Sequence, residues 1–181
     1  VGMQKLGKEA DCGIAVEELR EAQKKFEERG CVTELFDLRE QGLRGTRYIN
    51  DAEEAAVLVV RNGVNCVLGN AEGGNAMFEE AKSVRWDTRF LNTRRKVVQN
   101  KNARHNNCFA DVAQEADIER GCGTVHAFGD MPMLGSFRNS LHEWIGPKAQ
   151  GLVGEGNRYY DASKCGIGFH GDSERKIVIA A

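Results

Sequence analysis

Proline is nearly missing, at 2 of 181 residues, which excludes a proline-rich linker and a collagen-like repeat. Paired cysteines are missing too. The six (Cys12, Cys31, Cys66, Cys108, Cys122, Cys165) stand one at a time with no CxxC, so zinc-ribbon and thioredoxin motifs have no footing. No stretch approaches the roughly 20 consecutive apolar residues of a membrane-spanning helix. Val1–Ala10 is too polar for a secretory signal peptide, and no unit of about 20–50 residues repeats itself. These absences point to an intracellular protein whose cysteines stay as thiols in a reducing compartment. The chain opens on Val1 and stops inside the apolar run Ile179-Ala180-Ala181, the pattern expected of a fragment.

What is present describes a folded chain. With 181 residues, 41% hydrophobic and 29% charged, residues 1–181 suffice for one domain with a sizeable core. The net charge of −2 is unevenly spread. Residues 1–81 carry −6 and residues 105–181 carry −3. Between them, Lys82, Arg85, Arg89, Arg94, Arg95, Lys96, Lys101 and Arg104 face Asp87 alone, a net of +7. Clustered Lys and Arg raise the local potential and suit an anionic partner such as nucleic acid. An ordinary solvated surface is the competing reading of the same charges.

Periodicity places the elements. Val16–Arg29 has Leu19, Ala22 and Phe26 on one helical face and Gly30 as its stop. Cys31–Leu38 alternates as a short strand, and Val57–Val60 reads as another before an Asn62-Gly63 turn. Gly69–Asn75 reads as a loop. Its glycine spacing lacks the Lys-Ser/Thr of a phosphate loop. Ala76–Arg85 is expected to be a helix. Lys96–Asn100 and His105–Phe109 follow as strands joined by a Lys101-Asn102 corner, then Thr124–Phe128 as a strand. Met133–Trp144 sets Leu134, Phe137, Leu141 and Trp144 on one helical stripe, and three strands are expected at Leu152–Tyr160, Gly166–His170 and Lys176–Ala181. The order implies an α+β protein with a mainly antiparallel sheet or barrel buttressed by helices.

The chemistry concentrates in Cys165–Arg175. In a strand, residues i and i+2 project from one face, so His170 and Asp172 aim an imidazole and a carboxylate at a common point. With one further His they would form the facial triad of a non-haem Fe(II) centre. A surface turn at Gly171-Asp172-Ser173 with an incidental histidine is the bland alternative. Ahead of it, Asn157-Arg158-Tyr159 sets an amide and a phenol on one face of the preceding strand, joined to the His-bearing strand through Asp161–Lys164.

Met131-Pro132…Phe137, a helix, Asn157-Arg158-Tyr159, then His170-Gly171-Asp172-Ser173-Glu174 and an apolar strand resemble, in that order, the AlkB-like branch of the 2-oxoglutarate- and Fe(II)-dependent dioxygenases. The likeness spans Val125–Ala181. It implies a double-stranded β-helix (jelly-roll-like) core, incomplete at the C-terminus here, with residues 1–120 as helices and a hairpin lid and 121–181 as the start of that core. It also implies that His170 and Asp172 ligate Fe(II), that Asn157 and Tyr159 hydrogen-bond 2-oxoglutarate, and that Glu174 contacts a substrate base. Lys82–Arg104 corresponds to the lid by order along the chain, which makes Arg94, Arg95 and Lys96 the expected contacts to nucleic-acid phosphates. The implied reaction hydroxylates a C–H bond or removes an N-methyl group as formaldehyde, and a base in a duplex would be flipped out to reach the iron.

The family's second iron-binding His and its 2-oxoglutarate-binding Arg have no counterpart before Ala181. His105, His126 and His142 are the available stand-ins, with His126 the best placed in a strand-like run. A non-catalytic nucleic-acid- or protein-binding module of the same fold is the alternative function. Trp86 and Phe90, interleaved with Arg85 and Arg89, read as core residues or as base-stacking platforms. A zinc hydrolase or deaminase is poorly supported, since no HExxH occurs and Cys122…His126 has no partner ligands at the usual spacings.

Overall fold

The computed structural model describes residues 10–38, 55–165 and 175–181. These fall into two compact units, one formed by residues 76–136 and 151–165, the other by residues 10–38, 55–75, 137–150 and 175–181. Helices and small sheets mix in both, as expected of an α+β chain. The described strands close no barrel: they form two two-stranded sheets and one three-stranded sheet.

The second unit begins with α1 (Val16–Glu28), which buries Val16, Ala22 and Phe26. Phe26 stacks on Trp144 with ring centroids 4.6 Å apart, and the Arg29 guanidinium lies 4.0 Å from the centre of the same indole. Gly30, at φ +83°, takes the left-handed conformation that lets the chain leave the helix. Strands β1 (Thr33–Asp37) and β2 (Ala56–Val60) pair antiparallel with Leu35 opposite Leu58. Asn62, at φ 53° in the turn after β2, is also the residue from which α2 (Gly63–Leu68) starts. The expected loop at Gly69–Asn75 is shorter, because α3 (Gly73–Ser83) already begins at Gly73. Its first turn is tied down by Asn65, whose Oδ1 accepts from Gly74 N at 2.6 Å. The expectation of six thiols is corrected at Cys31 and Cys66, which are joined in a disulfide.

The first unit contains β3 (Arg89–Asn92), β4 (Val97–Asn100), β5 (Arg104–Ala110), β6 (Val125–Ala127) and β7 (Gly154–Tyr159). The hairpin expected between β4 and β5 lies instead between β3 and β4, with Leu91 opposite Val98. The reversal occurs there because Asn92 Oδ1 accepts from Arg94 N at 3.1 Å and Arg95 N at 3.0 Å, and Lys96 adopts φ 53°. β5 is the centre of the three-stranded sheet, parallel to β6 and antiparallel to β7. The described pairings are mainly antiparallel, as expected, with β5–β6 the parallel one among them. Phe109, Phe128 and Met131 form the core beneath it, with Val84 and Leu134 packed alongside.

Helix α4 (Pro132–Ile145) starts against this core. Two of its leading amides are satisfied by one side chain: Glu80 accepts from Met133 N and Leu134 N, each at 2.9 Å. A carboxylate there meets both the orphan N–H groups and the positive end of the helix dipole. The run Lys176–Ala181, expected as a strand, carries no regular structure, and Val178 is exposed. No helix among the described residues is long and apolar enough to cross a membrane.

Candidate functional site

The site is assembled on the sheet β6-β5-β7. Alternation along β5 puts Arg104, Asn106, Cys108 and Ala110 on one face and His105, Asn107 and Phe109 on the other. The register sets Tyr159 opposite Arg104, Asn157 opposite Asn106 and Glu155 opposite Cys108. Asn157 and Tyr159 therefore share one face, as their spacing predicts, and both are exposed. Arg104 makes no ion pair among the described residues.

Asn106 is 6% exposed. Its Nδ2 donates to Glu155 Oε1 at 3.4 Å, while its Oδ1 is buried without a partner among the described residues. Lys101 Nζ donates to the Asn106 carbonyl at 3.1 Å. Burial holds the Lys101 ammonium below its ordinary pKa, against the opposing pull of the Asp87 carboxylate, and the nearby Arg104 charge adds to the lowering. His105 is also lowered, first by burial and then by the charges of Lys101 and Arg158. This end of the sheet is electropositive.

The opposite face is held by a polar knot. Asn107, 2% exposed, accepts at Oδ1 from Asp87 N at 2.9 Å, and its Nδ2 lies 2.6 Å from Arg85 O and 3.0 Å from His126 Nε2. The same His126 Nε2 lies 3.2 Å from the Arg85 carbonyl, so Asn107, His126 and Arg85 meet in one polar cluster. Asp87 in turn receives Thr124 N and Thr124 Oγ1, each at 2.7 Å. Gly156 makes room for the knot's neighbours: a Cβ there would stand 2.7 Å from Phe109 and 3.0 Å from Trp86. Trp86, half-buried, lies against this glycine, and its Nε1 is buried without a partner among the described residues.

The expected residues divide as follows. Asn157 and Tyr159 are brought together on β7. Arg94, Arg95 and Lys96 are exposed at the tip of the β3–β4 hairpin, as a contact to an extended anion requires. His170, Asp172 and Glu174 lie outside the described residues. None of the three stand-in histidines joins Asn157 and Tyr159. His105 stacks on Tyr160 from the opposite face, His126 has its Nε2 engaged by Asn107, and His142 sits on α4 with Nδ1 2.8 Å from Asn139 O. Among the described residues no group of three His, Cys, Asp or Glu side chains is placed to hold a metal ion. Asn106, Asn107 and the Asp87–Thr124 pair were not anticipated. The signal was available as two adjacent amides inside a strand that continues into Cys108 and Phe109.

The chain is 40% identical over 179 residues to an uncharacterized protein of Acanthamoeba polyphaga mimivirus, covering 99% of this chain and 67% of the viral protein. No family model matches the chain. No solved structure matches it either.

Proposed function

The chain belongs to the family of that mimivirus protein, and from the residues of this chain itself we propose that it is an AlkB-like Fe(II)- and 2-oxoglutarate-dependent dioxygenase built on a double-stranded β-helix. Its substrate on this reading is a nucleic acid inside the cell. The observation that carries the reading is the common exposed face of Asn157 and Tyr159 on β7, with Arg104 on the neighbouring β5 directly opposite Tyr159. Such a face offers amide, phenol and guanidinium donors to a small dicarboxylate, which fits 2-oxoglutarate in charge and in hydrogen-bonding type.

His170 and Asp172 would hold the iron, and the bound metal with 2-oxoglutarate supplies the activation of O₂. The chain's own contribution is positioning. Asn157 Nδ2 and the Tyr159 hydroxyl orient the 2-oxoglutarate carboxylate. The Asn107–Asp87–Thr124 knot and the Phe109 core fix β5 and β7 beneath them. Glu174 would contact the substrate base, and Arg94, Arg95 and Lys96 would neutralise phosphates. A non-catalytic nucleic-acid-binding module is the second reading, favoured specifically by the exposed cationic tip of the β3–β4 hairpin.

Anaerobic titration with Fe(II) and 2-oxoglutarate, read as the visible charge-transfer band of the chelate, tests the proposal. The band is expected in the wild-type protein and lost in His170→Ala and Asp172→Ala. Asn157→Ala and Tyr159→Phe are expected to raise the 2-oxoglutarate concentration needed by about tenfold, the worth of one hydrogen bond to a charged group. A band that survives both ligand substitutions overturns the metal assignment. Its complete absence from wild type moves the conclusion to the binding module.

A further inference from the structure

A concavity with a volume of about 280 Å³ lies between the β3–β4 hairpin and the 3-10 turn Ile118–Arg120. Arg85 and Arg89 line it together with Val98, Ile118, Asp117 and Glu119. The backbone around it is tied down. The Arg85 carbonyl is held by Asn107 Nδ2, Arg89 is paired with Asn100 in the hairpin, and Asp117 exchanges both backbone hydrogen bonds with Cys122 at 2.9 Å.

The charges in this cleft are left open in a particular way. Asp117 is occupied: its carboxylate accepts from Arg120 N at 3.2 Å and lies 3.9 Å from the Arg120 guanidinium. Arg85 and Arg89 make no ion pair among the described residues, although two carboxylates line the same cleft. Two unneutralised guanidiniums on one site match a doubly charged oxyanion better than a single carboxylate, because each offers a planar fork of donors. The branched side chains of Val98 and Ile118 offer an apolar surface for a flat ring. Glu119, which can only accept when ionised, calls for a donor such as an exocyclic amine or a hydroxyl. The volume is just below the range usual for drug-sized ligands, enough for one nucleotide.

We propose that this cleft binds a nucleoside monophosphate unit, with the phosphate on Arg85 and Arg89, the ring over Val98 and Ile118, and a donor of the base or sugar on Glu119. The unit comes either as a free nucleotide or as one residue of a nucleic-acid strand. The free ligand goes beyond the proposed function, and the strand form rests on the nucleic-acid part of it. Neither depends on iron or 2-oxoglutarate, so the titration above and the binding experiment below fail independently.

Calorimetric titration of the protein with adenosine 5′-monophosphate, an adenine pentanucleotide and inorganic phosphate decides the matter. The nucleotide is expected to bind at least about tenfold more tightly than phosphate. The Arg85→Ala/Arg89→Ala variant should weaken it by about tenfold or more, as loss of charge-assisted bonds does. Glu119→Gln should weaken the nucleotide and leave phosphate unchanged. Binding of the pentanucleotide alone, lost in the same variants, assigns the cleft to a strand. The proposal is overturned if phosphate binds as tightly as the nucleotide, if the double arginine variant binds as wild type does, or if nothing binds.

Discussion

At the N-terminus of α1 the residue in the capping position is Ala15, which has no side-chain oxygen, so the task passes to Glu18. Its Oε2 accepts from Ala15 N at 2.7 Å and from Lys148 Nζ at 2.6 Å. The Lys148 hydrogen bond first, and the Ala15 N–H second, hold the Glu18 carboxyl below its ordinary pKa. The same bond raises Lys148. A carboxyl whose folded value is depressed stabilises the fold fully above its unfolded value and loses that contribution as pH falls through the folded one. Urea midpoints measured from neutral pH downward should therefore decline through and below the usual Glu range. Glu18→Gln should flatten that decline, and an unchanged pH profile would refute the assignment. The helix start was legible in the sequence because Leu19, Ala22 and Phe26 repeat at helical spacing. Lys148 was not, since a partner 130 residues away leaves no local trace. The Cys31–Cys66 pair escaped for the same reason: with six separated cysteines, spacing alone does not choose a partner.

Among the elements, β7 shows both what periodicity reveals and where it stops. Period two put Asn157 and Tyr159 on one face, and the register with β5 agrees. The alternation says nothing of which strand lies alongside, so sequence order joins β5 to β4, whereas it pairs with β7 and β6. The deciding residues were turn formers. Asn92 and Lys96 reverse the chain before Lys101-Asn102 is reached. Ile177-Val178-Ile179 has strand composition, yet it is unpaired among the described strands, because apolar branching alone supplies no neighbour. Gly156 is where β7 depends most on its surroundings. A methyl group there meets Phe109 at 2.7 Å and Trp86 at 3.0 Å, and both rings belong to packed surfaces that yield little. Gly156→Ala should cost about 1–3 kcal/mol of stability, the range for overpacked interiors. Asn157→Ala, one residue along and exposed, should stay within about 0.5 kcal/mol of wild type. Urea denaturation of both variants makes the comparison, and equal losses would show that the packing around Gly156 is not what fixes β7.

Across the whole molecule the sequence pattern anticipated an α+β chain and the structure agrees, but a closed β core is a property of long-range pairing that local periodicity does not encode. The charge distribution is a whole-molecule property that it does encode. Eight basic residues of the stretch 82–104 stand in an otherwise acidic chain, and the fold carries three of them to an exposed hairpin tip while Arg85 and Arg89 line a cleft and Lys101 is drawn into the sheet edge. Lys82 pairs with Glu79 and Arg104 stands opposite Tyr159, so one sequence cluster is divided among several environments, and the exposed tip is the part suited to track a phosphate backbone without specificity. Contacts of that kind release counterions, so affinity for a single strand falls with salt at a slope of about −0.7 per phosphate neutralised. Replacing Arg94, Arg95 and Lys96 together by Ala should reduce the steepness of the log–log salt dependence by about 2, three contacts at that slope. Fluorescence anisotropy with a labelled single strand across a salt series measures it. An unchanged slope would mean that the phosphates are met elsewhere on the surface, and a lost slope with unchanged affinity at high salt would mark the tip as the purely electrostatic part of the binding face.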